Sequence, residues 1–148
     1  MLQLHSFTPE HDQVVETMIT LTHLSSLNRA IVAGLGCTNL YLALRRRGLV
    51  RIGLPSTFRL RKGTSAVGLI TVQESLAEFE IALAQVVPSL GSAATIAVLI
   101  KSSESGFAMK IRKKLEQLGF RIEAGVRCHQ GLVLSARRQG LAQVEWAA

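Results

Sequence analysis

The chain has 148 residues, 48% of them hydrophobic, and a formal net charge of +7. That length suits one ordinary domain, and the apolar content excludes a disordered chain. No stretch approaches the roughly 18 uninterrupted apolar residues of a membrane-spanning helix.

The N-terminal MLQLHSFTPEHD lacks a basic region followed by an apolar core, so no secretory signal is expected and the cytoplasm is the expected location. A basic balance favours acidic partners, phosphates or nucleic acid. It is unevenly spread. From Thr17 to Gln73 there is no Asp or Glu, whereas Arg29, Arg45, Arg46, Arg47, Arg51, Arg59, Arg61 and Lys62 all lie in that span. Cys37 and Cys128 form neither a disulfide framework nor a CxxC pair.

Thr8-Pro9-Glu10 is a helix-start signal: a capping hydroxyl, a proline suited to the first turn, and acids (Glu10, Asp12) that complement the dipole. Val14, Val15, Met18, Leu21 and Leu24 recur at helical spacing, which predicts a helix to about Ser25. The segment Arg29–Gly53 then predicts one βαβ unit. A strand (Ala30–Ala33) leads through the turn Gly34-Leu35-Gly36 into a helix (Thr38–Arg47) and a second strand (Val50–Gly53). Such a turn lies where nucleotide-binding α/β domains hold their ligand. Leu40, Leu44 and Tyr41 would pack on the sheet, the arginine triplet would close the helix at its negative end, and Gly48 would supply the turn. Cys37 follows the glycine turn, where helix-end N–H groups lower a thiol pKa; its alternative role is a small residue packing tightly at a turn.

Pro55–Ala66 reads as a basic loop with a short edge strand around Phe58–Leu60. Val67–Val72 is the next strand, and Ser75-Leu76-Ala77-Glu78 is a capping box. It opens a helix that buries Leu76, Phe79, Leu83 and Val86 and stops at Pro88. Ser89–Ala93 reads as a turn and Thr95–Ile100 as a central strand. A basic helix from Ser105 to Leu118 follows, with Phe107, Ile111, Leu115 and Leu118 on one face. Arg121–Arg127 and Leu132–Arg137 form an antiparallel hairpin around Cys128-His129-Gln130-Gly131, and the tail Gly140–Ala148 holds the only tryptophan, Trp146.

This order of elements resembles the class I S-adenosylmethionine-dependent methyltransferases over roughly Pro9–Arg138. The glycine turn sits where that family has its D-x-G-x-G loop. LITVQESLAEFEIALAQVVPSLGSAATIAVLI looks like its fourth strand, helix and fifth strand, and KIRKKLEQLGFRIEAGVRCHQGLVLSARR like its last helix and closing hairpin. The resemblance implies an α/β fold with a Rossmann-like, methyltransferase-type sheet. That sheet would be mostly parallel, with an antiparallel C-terminal hairpin, and shortened in the middle. It also implies one domain: an N-terminal helix within residues 1–28, a core over 29–138 and a tail over 139–148.

The departures fall on the cofactor motifs. Aligned on the loop, Gly34 stands where the family keeps an acid, Gly36 keeps its glycine and Thr38 replaces the next one. Leu54 or a neighbour occupies the place of the ribose-gripping acid, and a helix and third strand are cut short or lost. S-adenosylmethionine is a net cation, and a pocket floor without carboxylates but with surplus arginines is the wrong field for it. Glu74 is the one acid placed near the presumed cleft. The cofactor contacts that the resemblance implies are thus Gly34, Gly36, Cys37, Thr38 and Glu74.

Three readings compete. The first is a methyltransferase-like domain without catalysis or cofactor, serving as a binding or assembly module. The second is an S-adenosylmethionine-dependent methyltransferase with an atypical pocket. The third is a binder of a phosphate-bearing ligand such as NADP at the same turn, with Ser56, Thr57 and Arg59 receiving a 2′-phosphate. Against the third, Asn39 breaks the full G-x-G-x-x-G pattern. The basic segment Arg45–Lys62 offers a surface for an anionic ligand or nucleic acid. The shortened middle exposes a strand edge, which predicts a homodimer. His11 and His23 are twelve apart and Cys128-His129 are adjacent, so no metal site is expected. No G-x-S-x-G or Ser–His–acid set points to hydrolysis.

Overall fold

The computed structural model describes residues 9–55, 63–102, 104 and 106–139. Helix α1 (Pro9–Thr22) precedes the strand–helix–strand unit β1 (Ala30–Gly34), α2 (Cys37–Arg46) and β2 (Ile52–Gly53). Then come β3 (Ser65–Val72), α3 (Leu76–Val86), β4 (Leu90–Ile100), α4 (Phe107–Gln117), β5 (Phe120–Cys128) and β6 (Gly131–Arg138). The six strands form one sheet in the order β2-β1-β3-β4-β6-β5. Pairs along β2-β1-β3-β4 are parallel, and the β4-β6 and β6-β5 pairs are antiparallel. This is the expected mixed sheet. Among the described residues no strand lies beyond β2, so the middle is shortened as expected.

Helices cover both faces, so the central strands read as near-continuous apolar runs. Along β1, Ile31 and Ala33 join the core under α3 and α4, while Ala30 and Val32 join the core under α1 and α2. Gly68 faces α3 so closely that a Cβ there would lie 2.7 Å from Val86 Cγ1. Ser75 caps α3 by accepting a hydrogen bond from the Glu78 N–H at 3.3 Å, half of the expected capping box. Phe79, Leu83 and Val86 are buried, as the pattern required, and so are Phe107, Ile111 and Leu115 of α4.

The structure corrects several boundaries. Helix α1 ends at Thr22 rather than Ser25, because His23 takes a left-handed φ of 56 and the Leu24 N–H donates back to the Ile19 carbonyl at 3.1 Å, a Schellman-type cap. Ser25 and Asn28 then form their own turn, with the Ser25 N–H donating to Asn28 Oδ1 at 3.0 Å. Strand β2 loses Val50 and Arg51. Val50 is exposed and its carbonyl accepts from Arg45 at 3.2 Å. Residues 90–93 belong to β4 rather than to a turn: Leu90 pairs with Ser65 before an irregularity in the register. Leu118 is exposed because α4 ends one residue earlier. The hairpin loop is only His129-Gln130, since Cys128 pairs with Gly131. The Thr8 cap, the Phe58–Leu60 strand, the helix start at Ser105 and the Trp146 tail lie outside the described residues.

Facing and opposite sides of α3 give a direct check of this packing. Phe79→Ala should cost about 3–5 kcal/mol of unfolding free energy in urea, and Ile81→Ala, on the exposed side, less than about 0.5 kcal/mol.

Candidate functional site

The chain reverses direction between β1 and β3. After β1 it crosses out to β2, then returns to the other side of β1 as β3. Ligands of open α/β sheets bind at the carboxyl ends of the strands flanking such a reversal, and the glycine turn lies there. Gly34, the last residue of β1, pairs with Thr71 of β3. A Cβ on Gly34 would lie 2.1 Å from the Thr71 carbonyl oxygen, and Gly34 has φ +106. Both facts require glycine. Gly36, at φ 77, is the left-handed N-cap of α2. The Thr71 hydroxyl donates to the Leu35 carbonyl at 2.5 Å, tying the turn to β3.

A cleft of about 370 Å³ opens beside this turn. Gly36 lies against it, Val14, Val15, Leu40 and Leu99 give apolar walls, and Asn39, Thr71, Gln130 and Lys101 supply polar groups. Helix α1 forms its roof. An ion pair between Glu16 and Arg47 ties α1 to the end of α2. On the hairpin side the His129 N–H donates to Gln13 Oε1 at 3.3 Å, and Cys128 Sγ lies 3.6 Å from Thr17 Oγ1. Lys101 is the one charged residue among the described residues lining the cleft.

Of the residues that the sequence singled out, Gly36 lines the cleft and Gly34 sets the turn beneath it. Cys37 starts α2 half-buried, packed against the core under α1 and α2. Burial pushes its thiol pKa up and outweighs a backbone hydrogen bond that lowers it, so the expected helix-end activation is not found. Thr38 is exposed. Glu74 is exposed at the strand-to-helix turn two residues beyond β3 and is not among the described residues lining the cleft. Leu54, at the position of the ribose-gripping acid, packs partly into the core. Sequence reasoning missed Asn39, Lys101, Gln130 and the α1 roof as cleft residues. Lys101 had a usable signal, being the first residue after the apolar run of β4. Among the described residues no His/Cys/Asp/Glu group could hold a metal.

No protein-family model matches the chain, and no curated protein matches its sequence. Solved structures do match in fold. The cyclase SpnF superposes with a TM-score of 0.60 at 13% identity, over 87% of this chain and 81% of its own. An S-adenosylmethionine-dependent O-methyltransferase from Thermotoga maritima gives 0.58 at 14% identity, over 94% and 68%. A release-factor-specific protein-(glutamine-N5) methyltransferase from Alicyclobacillus acidocaldarius gives 0.57 at 14%, over 94% and 99%. The chain has a class I methyltransferase-like fold. The described residues do not fit the cofactor usual to that fold: no described carboxylate lines the cleft, and the position that would carry the loop acid accepts only glycine.

Two measurements test this geometry. Gly34→Ala should lose at least about 2 kcal/mol in urea unfolding, because strain and backbone overlap add. Gly36→Ala, with open space around it, should lose about 1 kcal/mol. Alkylation of Cys37 by iodoacetamide, followed by peptide mass spectrometry, should accelerate with pH around a midpoint above that of free cysteine. The raised pKa keeps the thiol protonated to higher pH.

Proposed function

We propose that this domain carries out no methyl transfer and serves as a binding or assembly module built on a methyltransferase-like fold. The observation that carries this reading is the contact between Gly34 and Thr71. It excludes any side chain at the loop position where the resemblance places a cofactor-binding acid. The charge field supports it: Lys101 beside the cleft would repel a net cation. That a cyclase shares the fold also argues that the fold does not dictate the reaction. The competing reading, an S-adenosylmethionine-dependent methyltransferase with an atypical pocket, draws on the cleft at the strand reversal.

Thermal unfolding with S-adenosylmethionine separates the two. Ligand at about 100 times its dissociation constant adds about 2.7 kcal/mol, worth roughly 5–11 °C for a domain of this size. No shift is expected at millimolar cofactor, and a shift of that order would restore the enzyme reading.

The assembly half of the proposal concerns the outer edge of β2. That strand has only two residues, and Val50, two residues before it, is 60% exposed. A short edge with an apolar side chain at its start invites a second copy, with the arginines at the rim. Light scattering at tens of micromolar should give twice the 16.1 kDa of the chain; the monomer mass at both low and high salt would show that the edge is simply solvated.

A further inference from the structure

The cleft beside the glycine turn grades from an apolar interior to a polar mouth. Val14, Val15, Leu40 and Leu99 line it and are at most 4% exposed, whereas Lys101 and Asn39 are exposed and Gln130 is half-buried. Thr71 offers no free proton, because its hydroxyl already donates to the Leu35 carbonyl. The side-chain donors left in the described lining are the Lys101 ammonium and the Asn39 and Gln130 amides. At about 370 Å³ the cleft lies near the lower end of the range for small-molecule sites, roughly 300–1,000 Å³.

The backbone, not an ion pair, holds Lys101 at this mouth. Its N–H donates to the Val72 carbonyl at 2.9 Å, just beyond the paired residues of β3 and β4. From the other side the hairpin presses on it: a Cβ on Gly131 would lie 2.2 Å from the Ile100 carbonyl oxygen and 3.1 Å from Lys101 Cα. The same close approach brings Gln130, the residue before Gly131, into the cleft lining. The ammonium has no ion pair among the described residues. A cation at the rim of an apolar cleft, with no carboxylate in the described lining, is half of a charge-assisted pair. Its complement is an anion with an apolar body.

We propose that this cleft binds a small organic monocarboxylate. Its apolar body lies between Val14, Val15, Leu40 and Leu99, and its carboxylate accepts from Lys101, Asn39 and Gln130. One positive charge in the described lining matches one negative charge in the ligand. A doubly charged phosphate would leave a charge uncompensated against apolar walls. The proposal rests on the binding-module reading and gives that module a ligand class. Failure of the two can be told apart. Binding of S-adenosylmethionine overturns the non-catalytic reading, whereas absence of carboxylate binding overturns this proposal and does not restore methyl transfer.

The test is calorimetry of the full chain with probes that share one tail: octanoate, 1-octanol, octylammonium and octyl phosphate. Octanoate should bind with a dissociation constant below about 1 mM, at least about tenfold tighter than 1-octanol, and octylammonium should give no binding. Lys101→Gln should weaken octanoate about tenfold and leave 1-octanol unchanged. Lys101→Arg should keep most of the octanoate affinity, and Lys101→Glu should make octylammonium the preferred probe. Lys110→Gln, exposed on α4 and outside the described lining, should leave octanoate binding unchanged. Lys101 is exposed, so these substitutions spare the core, and circular dichroism melts check that each variant keeps the fold. The proposal is overturned if octanoate does not bind at millimolar concentration, or if 1-octanol binds as tightly. It is also overturned if Lys101→Gln costs no more than Lys110→Gln, or if octyl phosphate binds tenfold tighter than octanoate.

Discussion

The close approach of β1 and β3 at Gly34 and Thr71 is the constraint on which the rest of the site depends. Because Gly34 meets the Thr71 backbone with no room for a Cβ, the chain leaves the sheet with positive φ and turns at once into α2. The Thr71 hydroxyl then holds the Leu35 carbonyl and fixes the turn against β3. One tight contact thus places the first turn of α2, opens the cleft at the strand reversal, and removes the position from which a carboxylate could enter it. The geometry that makes the turn compact also leaves no room for a side chain at the position where the resemblance places an acid.

Charge divides the molecule in a complementary way. Between Thr17 and Gln73 every formally charged side chain is positive, and the fold gathers Arg29, Arg45 and Arg51 around β2, at the margin where the sheet is shortened. Arg47 is turned instead towards Glu16 and helps to hold the roof of the cleft. Neighbouring arginines of one sequence cluster therefore do different work. One locks a helix, and others border a cavity on the opposite end of the sheet.

Much of the fold was legible because strands buried on both faces leave unbroken apolar runs. Ala30–Ala33, Val67–Val72 and Thr95–Ile100 could hardly be anything else. Helix α3 was marked by its Ser75 cap and its buried stripe. What could not be read was set by tertiary contact. Leu90–Ala94 has no strand period, and extends β4 only because Ser65 pairs with Leu90. The end of α1 depends on His23 adopting left-handed φ so that the Leu24 N–H can reach the Ile19 carbonyl, a cap that usually falls on glycine and that apolar spacing does not express. The cleft itself was half legible. Its glycines announced themselves, whereas Val14, Val15 and Gln130 reach it only through the docking of α1 and of the hairpin. Glu74 looked close in sequence, yet it is exposed in the turn between β3 and α3.

The central claim is that the cleft beside Gly36 does not receive the cofactor usual to this fold. The most direct measurement is a nuclear magnetic resonance titration of isotopically labelled protein with S-adenosylmethionine, following the backbone amides of Gly34 to Asn39 and of Lys101. The account predicts that these resonances stay in place up to millimolar ligand. Saturable shifts confined to these residues would contradict it, and would show that the turn at Gly34 accommodates the cofactor without the acid.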